Sequence, residues 1–328
     1  MAYQVIGIGN AVMDVISTAV DAQLDRLGVQ KGIMQLIERD RAEVLTHASN
    51  GARLIPGGSV ANTLAGLGRL GLSTAFIGRV AGDDLGLAYA RDMGADGTDF
   101  VNAPLDGADL PTSRSIIFVT PDGERSMNTY LGISAELDER DVDAGLFSGG
   151  SWLFLEGYLF DKDKGKAAFL KAAEACHAAG GQAGIALSDP FCVDRHREDF
   201  RRLVAGPMDY VIGNIHEWQA LYQVEDLEEA LRLASADCGT VICTRSGEDA
   251  ILIRGGERVT APVHRVTPVD ATGAGDQFAA GLIYGLAQGR PLAVAGRMGC
   301  IAAAEVIGHV GARPEADVMA LFRAEGLA

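Results

Sequence analysis

The chain reads as an α/β protein: a mostly parallel central sheet lies between two layers of helices, and a small β-sheet lid is attached to it. Three observations carry this expectation. From Ser151 onward, short apolar runs alternate regularly with helical patterns, and that order builds a parallel sheet covered on both faces. Glycine is abundant, at 42 of 328 residues, while aromatics make up only 6%; the mix suits many tight strand–helix turns. The first extended segments follow one another with no helix assigned between them, so they are expected to form the separate lid.

In order, residues 3–8 form a short apolar strand ending at Gly7-Ile8-Gly9-Asn10, and 11–20 and 32–38 are extended. Residues 40–48 read as a helix, and a small-residue helix begins near Ser59 and runs to 70. A strand at 74–79 and a helix at 84–92 follow. Pro121-Asp122-Gly123-Glu124 is a strong turn between extended runs at 113–120 and 125–130, hence a β-hairpin. The regular part then gives strands at 152–155, 183–187, 210–213, 240–244 and 250–254. Its helices fall at 165–179, 197–204, 217–222, 227–235, 276 to about 288, and from Pro291 to about 306. Pro291 suits a first helical position. A last helix is expected at 315–324. The whole of 1–328 is read as one domain, with lid segments at about 11–38 and 113–130.

Composition narrows the function. Apolar residues make up 48% and charged residues 22%, which are globular proportions, and a chain this long buries a core without staples. With 44 acidic and 28 basic residues the net charge is −16, which repels a nucleic acid. The five cysteines are odd in number and scattered, and Cys238 and Cys243 read as small buried residues. Neither a disulfide framework nor a structural zinc is expected. The apolar run 152–160 is broken by Glu156 and falls far short of the ~18 residues that cross a membrane. The start lacks a basic segment and carries Asp14, so it is not a signal peptide and the expected location is the cytoplasm.

The most informative segment is Asp270-Ala271-Thr272-Gly273-Ala274-Gly275-Asp276. Its glycines allow a tight turn and close approach of the backbone to a ligand. The amides at the start of the following helix favour anions. An anion hole beside a carboxylate suits phosphoryl transfer to an alcohol, with Asp276 taking the hydroxyl proton. Taken alone, Asp276 could equally be a helix cap. The second segment, Pro56-Gly57-Gly58-Ser59-Val60-Ala61-Asn62, presents backbone amides and the Asn62 side chain to a polyol.

The two segments occur together on an alternating α/β chain, and the sequence thereby resembles the ribokinase-like (PfkB) carbohydrate kinase family over essentially its whole length. The resemblance implies a three-layer α/β/α fold with a β-sheet lid. It also implies an ATP- and Mg²⁺-dependent kinase with an alcohol acceptor. Asp276 would be the base, and Gly273, Ala274 and Gly275 the anion hole. Asp14, Gly57, Gly58 and Asn62 would hold the substrate hydroxyls, with Glu156 a weaker candidate. Asn214 and Glu217, in Asn214-Ile215-His216-Glu217, match a motif that organises phosphate and Mg²⁺ through water. Thr244, Ser246 and Gly247 resemble the nucleotide-side turn. The resemblance also allows a monovalent cation, K⁺, near Asp270 and Thr272.

Ala186-Leu187-Ser188-Asp189-Pro190-Phe191-Cys192, Met208-Asp209-Tyr210-Val211-Ile212-Gly213-Asn214 and Gly32-Ile33-Met34-Gln35-Leu36 look most like the adenosine kinases of that family. They imply transfer of the γ-phosphoryl group to the ribose 5′-hydroxyl of adenosine, with Met34 and Leu36 as an apolar wall for the base. The same two residues could instead pack inside the lid. Ser59-Val60-Ala61-Asn62-Thr63 reads more like the sugar-kinase form, so a kinase for ribose, fructose or a related sugar or sugar acid is the alternative. The expected partners are the small-molecule substrate and ATP, with the chain a monomer or a lid-mediated homodimer. A dinucleotide fingerprint fails because its third glycine would fall at Val12, and no P-loop motif occurs. A non-catalytic module would lack the base, yet Asp276 is present.

Overall fold

A computed structural model describes residues 2–328. The chain starts with β1 (Val5–Ile8) and β2 (Val12–Thr18), then α1 (Asp21–Leu27), β3 (Met34–Leu36), α2 (Arg39–Ala48) and β4 (Arg53–Gly57). Next come α3 (Ser59–Arg69), β5 (Thr74–Ile77), α4 (Asp84–Ala95), β6 (Thr98–Phe100) and the pair β7 (Ser113–Val119) and β8 (Arg125–Tyr130). The alternating part runs β9 (Trp152–Glu156), α5 (Asp163–Ala178), β10 (Gln182–Ala186), α6 (Pro190–Arg195), α7 (Arg197–Ala205) and β11 (Tyr210–Asn214). It continues with α8 (Ile215–Tyr222), α9 (Leu227–Asp237), β12 (Thr240–Arg245), β13 (Glu248–Arg254) and β14 (Glu257–Ala261). Three helices end the chain: α10 (Ala274–Ala287), α11 (Leu292–Val306) and α12 (Val318–Ala324).

Among the described residues the strands form two sheets. The large one has the order β14-β13-β12-β11-β10-β9-β1-β5-β6, and the small one β3-β8-β7-β2-β4. The large sheet is parallel from β12 to β6, with β13 and β14 added antiparallel at one edge. Period-two alternation divides its side chains between two cores. Ile6, Leu153, Leu155, Ile185, Val211 and Val241 pack into the layer of α5 to α9. Val5, Phe154, Tyr210, Ile212 and Ile242 pack under α3, α10 and α11. Both faces are therefore dry, which explains why these strands read as continuous apolar runs. A third core, with Leu24, Leu45, Ile116, Phe118 and Tyr130, lies between the small sheet and its helices α1 and α2.

Several expectations change in detail. α1 separates the two early extended segments; only Leu24 is buried in its seven residues, too little for a helical periodicity to register. β4, β6 and β14 are short or at sheet edges, and α6 is a six-residue helix capped by Asp189. Pro291 stands just before α11, with ψ of 148°, rather than in its first turn. The last helix begins at Val318 because the Asp317 side chain accepts the Ala320 amide at 3.0 Å and caps it there. Among the described residues, no helix is long and apolar enough to cross a membrane.

Candidate active site

β1, β9, β11 and β12 run parallel, so their carboxyl ends share one edge of the large sheet. Gly9-Asn10, Glu156, Asn214 and Thr244 lie along that edge, where open α/β sheets bind ligands. An open depression of about 490 Å³ lined by Trp152, Gln182, Asp209 and Thr240 lies at the opposite, amino-terminal ends. It contains none of the residues that follow.

The Asp270–Asp276 segment forms the start of α10. Gly273 has φ of 80°, and a Cβ there would lie 2.6 Å from Ala312 Cα, so the turn needs glycine. The first helical bond in the ladder runs from Gln277 N to Gly273 O, and Ala274 N donates to Ala271 O at 3.3 Å inside the turn, so the amides of Gly275 and Asp276 precede the ladder while that of Ala274, expected in the anion hole, is already engaged. A Cβ on Gly275 would meet nothing within 4 Å: the Gly275 side of this turn is open.

Asp276 lies in the first turn of α10 and is gripped by α3. Ser59 Oγ donates to Oδ1 at 2.6 Å, and Asn62 Nδ2 donates to Oδ2 at 3.0 Å. Burial lifts its carboxyl to about 6, and the Ser59 and Asn62 donors restrain that rise. Gln277 Nε2 donates to Asn62 O at 2.9 Å and to Ala312 O at 3.0 Å, which braces α10 against α3 and the 311–313 loop. Asn62, expected to meet substrate hydroxyls, thus spends its amide on Asp276, and its Oδ1 faces Arg313 Nε at 3.5 Å. Arg313 also donates to Pro56 O at 2.5 Å and pairs with Asp96.

Gly58 has φ of 106°, and a Cβ there would stand 2.2 Å from Asn10 O. Glycine lets the α3 start lie directly on the β1–β2 turn. Asp14 abuts Gly57. Burial raises its carboxyl to about 7; Arg125 and Arg313 oppose the rise, and Asp276 adds to it. Glu156 is corrected from a substrate-side candidate to a positioning residue. Its Oε1 accepts Asn10 N at 2.8 Å and Asn10 Nδ2 at 2.9 Å, and its Oε2 accepts Val60 N at 3.1 Å. It ties β1 to α3 from inside, and burial raises it to about 7.

The lid carries exposed apolar side chains. Met34 and Leu36 are 53% and 57% exposed, so they do not pack inside the lid. Register pairs Met34 with Met127 and Leu36 with Thr129. It then pairs Thr129 with Ser115, Val119 with Arg125, and Ser115 with Asp14. Directly paired residues share a sheet face, so Met34, Leu36 and Met127 lie on the face that carries Asp14 and Arg125. Arg125 reaches the large domain, where its Nη1 donates to Asp270 Oδ2 at 2.6 Å. Its buried Nε has no partner among the described residues.

Asn214 and Glu217, expected on the nucleotide side, form a capping box. Asn214 Oδ1 accepts Glu217 N at 3.0 Å, and Glu217 accepts Asn214 N at 2.8 Å and Nδ2 at 2.7 Å. Register puts Asn214 beside Thr244. Ser246 and Gly247 form the β12–β13 turn, with Ser246 in a left-handed conformation at φ of 53°. Ser59, Arg125, Met127 and Arg313 were not singled out in the sequence. Alternation from Arg125 through Met127 to Thr129 was the available signal; Arg313 had none.

The model of the pfkB family carbohydrate kinases matches residues 30–318. The chain belongs to that family. It is 42% identical to the adenosine kinase of Sinorhizobium meliloti, whose crystal structure superposes with a TM-score of 0.89 over 99% of this chain and all of that one. It is 41% identical to a probable sugar kinase of Rhizobium etli CFN 42, with a TM-score of 0.90 and full coverage of both chains. It is 27% identical to the 5-dehydro-2-deoxygluconokinase of Geobacillus kaustophilus over 262 residues, which are 76% of this chain and 78% of that protein. This pfkB kinase is therefore an ATP-dependent kinase for a sugar or nucleoside alcohol.

The donor set fits Mg²⁺ brought in on a triphosphate. Among the described residues, no group of three His, Cys, Asp or Glu side chains forms a metal cage, and Mg²⁺ typically keeps waters and substrate phosphates as ligands. Glu217 has both oxygens engaged by Asn214, so it would reach the ion through water. K⁺ at Asp270 fits poorly, because that carboxylate is already fully engaged.

Proposed function

We propose that this pfkB kinase transfers the γ-phosphoryl group of ATP to the 5′-hydroxyl of adenosine, with Asp276 as the general base. One arrangement carries the kinase chemistry. A half-buried carboxylate lifted to about 6 stands beside a glycine turn whose Gly275 side is open. That value leaves Asp276 ionised at neutral pH yet basic enough to accept a proton in the transition state. Ser59 and Asn62 fix its two oxygens, so it meets the acceptor hydroxyl in one orientation. The amides of Gly273 and Gly275 stabilise charge on the transferring group, and the Ala274 amide adds to them when it exchanges its bond to Ala271 O for the phosphoryl group. Asp14 and the Gly57-Gly58 turn orient the acceptor hydroxyls. Asn214, Thr244, Ser246 and Gly247 hold the nucleotide, and Mg²⁺ bound with it neutralises triphosphate charge. The lid, held down by Arg125, excludes water, which would compete as acceptor.

The exposed Met34 and Leu36, aligned with Met127 on the Asp14 face, support the nucleoside acceptor: a purine needs an apolar wall, and a free sugar does not. Likeness to an adenosine kinase at 42% identity supports the same reading. The sugar-kinase relatives and the polar Ser115 and Thr129 on that face favour a sugar as the second reading. An ATP-consumption panel with adenosine, inosine, ribose, fructose and 2-keto-3-deoxygluconate separates them. Adenosine is expected to give the highest kcat/KM. Good turnover of a simple sugar with none of adenosine transfers the assignment to the second reading.

A further inference from the structure

We propose that the Arg125 guanidinium is the built-in cation at Asp270, and that this enzyme works without a monovalent metal ion. The inference rests on the kinase reading only for its activity measurement. Asp270 opens the anion-hole segment. Its Oδ1 accepts Thr272 N at 3.0 Å and Thr272 Oγ1 at 2.6 Å. Its Oδ2 accepts Gly311 N at 3.0 Å and Arg125 Nη1 at 2.6 Å. An ionised carboxylate offers about four acceptor positions, and all four are taken. Burial disfavours the charged form of Asp270, but the bonds from Thr272 and Gly311 and the Arg125 charge outweigh it and hold the carboxyl below its ordinary value.

Both partners of the ion pair are 9% exposed. A second cation beside Asp270 would have to lose its water next to a buried guanidinium, with no free oxygen on that carboxylate to receive it. The charge the site needs is already present, and a side chain supplies it. The two partners belong to different layers: Arg125 to lid strand β8, and Asp270 to the segment that enters α10. The pair therefore ties the lid to the anion-hole segment, and a lid that opened would carry the charge away with it. A diffusible ion would not couple the charge to lid position in this way.

Removing the guanidinium reverses the situation. A buried carboxylate left without its counter-charge is strongly unfavourable, and the anionic Oδ2 position that Arg125 vacates suits a hard cation. Arg125→Ala should therefore acquire a requirement that the natural protein lacks.

The test uses the full-length enzyme and Arg125→Ala in KCl, NaCl and tetramethylammonium chloride at equal ionic strength. Two quantities are read: ATP consumption with the best acceptor of the panel, and the thermal unfolding midpoint without substrates. The natural enzyme is expected to vary by less than about twofold in rate among the salts, with one midpoint throughout. Arg125→Ala is expected to lose at least about tenfold in tetramethylammonium, to recover in K⁺, and to show a higher midpoint in K⁺. Arg125→Lys, which keeps a cation, should be indifferent to K⁺ whatever its rate. Stimulation of the natural enzyme by about tenfold in K⁺, or a rise in its midpoint, overturns the proposal. A folded Arg125→Ala that responds to K⁺ in neither quantity overturns it as well. If that variant does not fold, the natural enzyme's two responses decide. If no acceptor is phosphorylated in any salt, the kinase reading has failed and the unfolding midpoints decide.

Discussion

At the scale of single residues, the site depends on how Asp276 is held. Ser59 Oγ donates to its carboxylate at 2.6 Å, and a donor to the charged form lowers a pKa. Ser59→Ala removes that donor, so the Asp276 pKa should rise from about 6. A base works when ionised; kcat/KM therefore falls on the acid side, and the midpoint of that fall should move to higher pH in the variant. A pH–rate profile of both proteins checks it, and an unmoved acid limb would detach Ser59 from the base. Gly275 makes a second case. A Cβ there meets no protein atom within 4 Å, so Gly275→Val should fold with nearly the natural unfolding midpoint. Turnover should nevertheless collapse, because the added methyls occupy the space of the phosphoryl group. Unaltered kinetics in the folded variant would show that this turn does not face the reaction. The two glycine-rich segments were legible in the sequence because each concentrates unusual residues in a short stretch. Arg313 was not: its contacts with Pro56, Asn62 and Asp96 join residues far apart in the chain, and nothing local marks an arginine as buried.

At the scale of elements, the lid holds the proposed wall for the base. Leu36 is 57% exposed on the edge strand β3, so Leu36→Asp should cost the fold little, since surface changes usually stay within about 0.5 kcal/mol. It should raise the KM for adenosine strongly by wetting the base wall, and affect ribose phosphorylation far less. Steady-state kinetics with both acceptors checks this; equal losses for the two would locate the damage in lid folding. The elements read correctly from sequence share a cause. β9 to β12 are buried on both faces and flanked by helices with clear apolar stripes, and the β7–β8 hairpin is announced by its Pro-Asp-Gly turn. Those missed have the opposite character. α1 buries one residue, β6 has three residues, and β4 and β14 are outer strands whose pairing is set by distant neighbours. Register puts Met34 and Leu36 on the Asp14 face, and register depends on strands about ninety residues away in sequence.

At the scale of the whole molecule, the site is maintained at a cost to stability. Asp14 and Glu156 are raised to about 7 and Asp276 to about 6, each above its unfolded value near 4. Between about pH 4 and 7 the folded state therefore binds more protons than the unfolded one, and stability falls as pH rises through this window. Carboxyls pulled the other way, such as Asp122 held at about 2 by Lys31, have delivered their stabilisation by about pH 4 and do not change above it. The ligand-free enzyme should thus resist denaturant better near pH 5 than near pH 8, while its activity changes in the opposite sense. Denaturation midpoints at the two values test this, and a higher midpoint at pH 8 would refute it. The layered architecture was legible because alternation and burial are local properties. The cross-bracing of α3, α10 and the 311–313 loop was not, because it exists only after the chain ends meet.

The proposed chemistry depends on Asp276 as the base of a phosphoryl transfer. Its most direct test is the turnover of purified Asp276→Asn beside the natural enzyme, with the Kd for ATP measured on both. Asp276→Asn is expected to lower kcat by roughly 10²–10⁴-fold with ATP binding unchanged. Near-normal turnover by a correctly folded Asp276→Asn would contradict it.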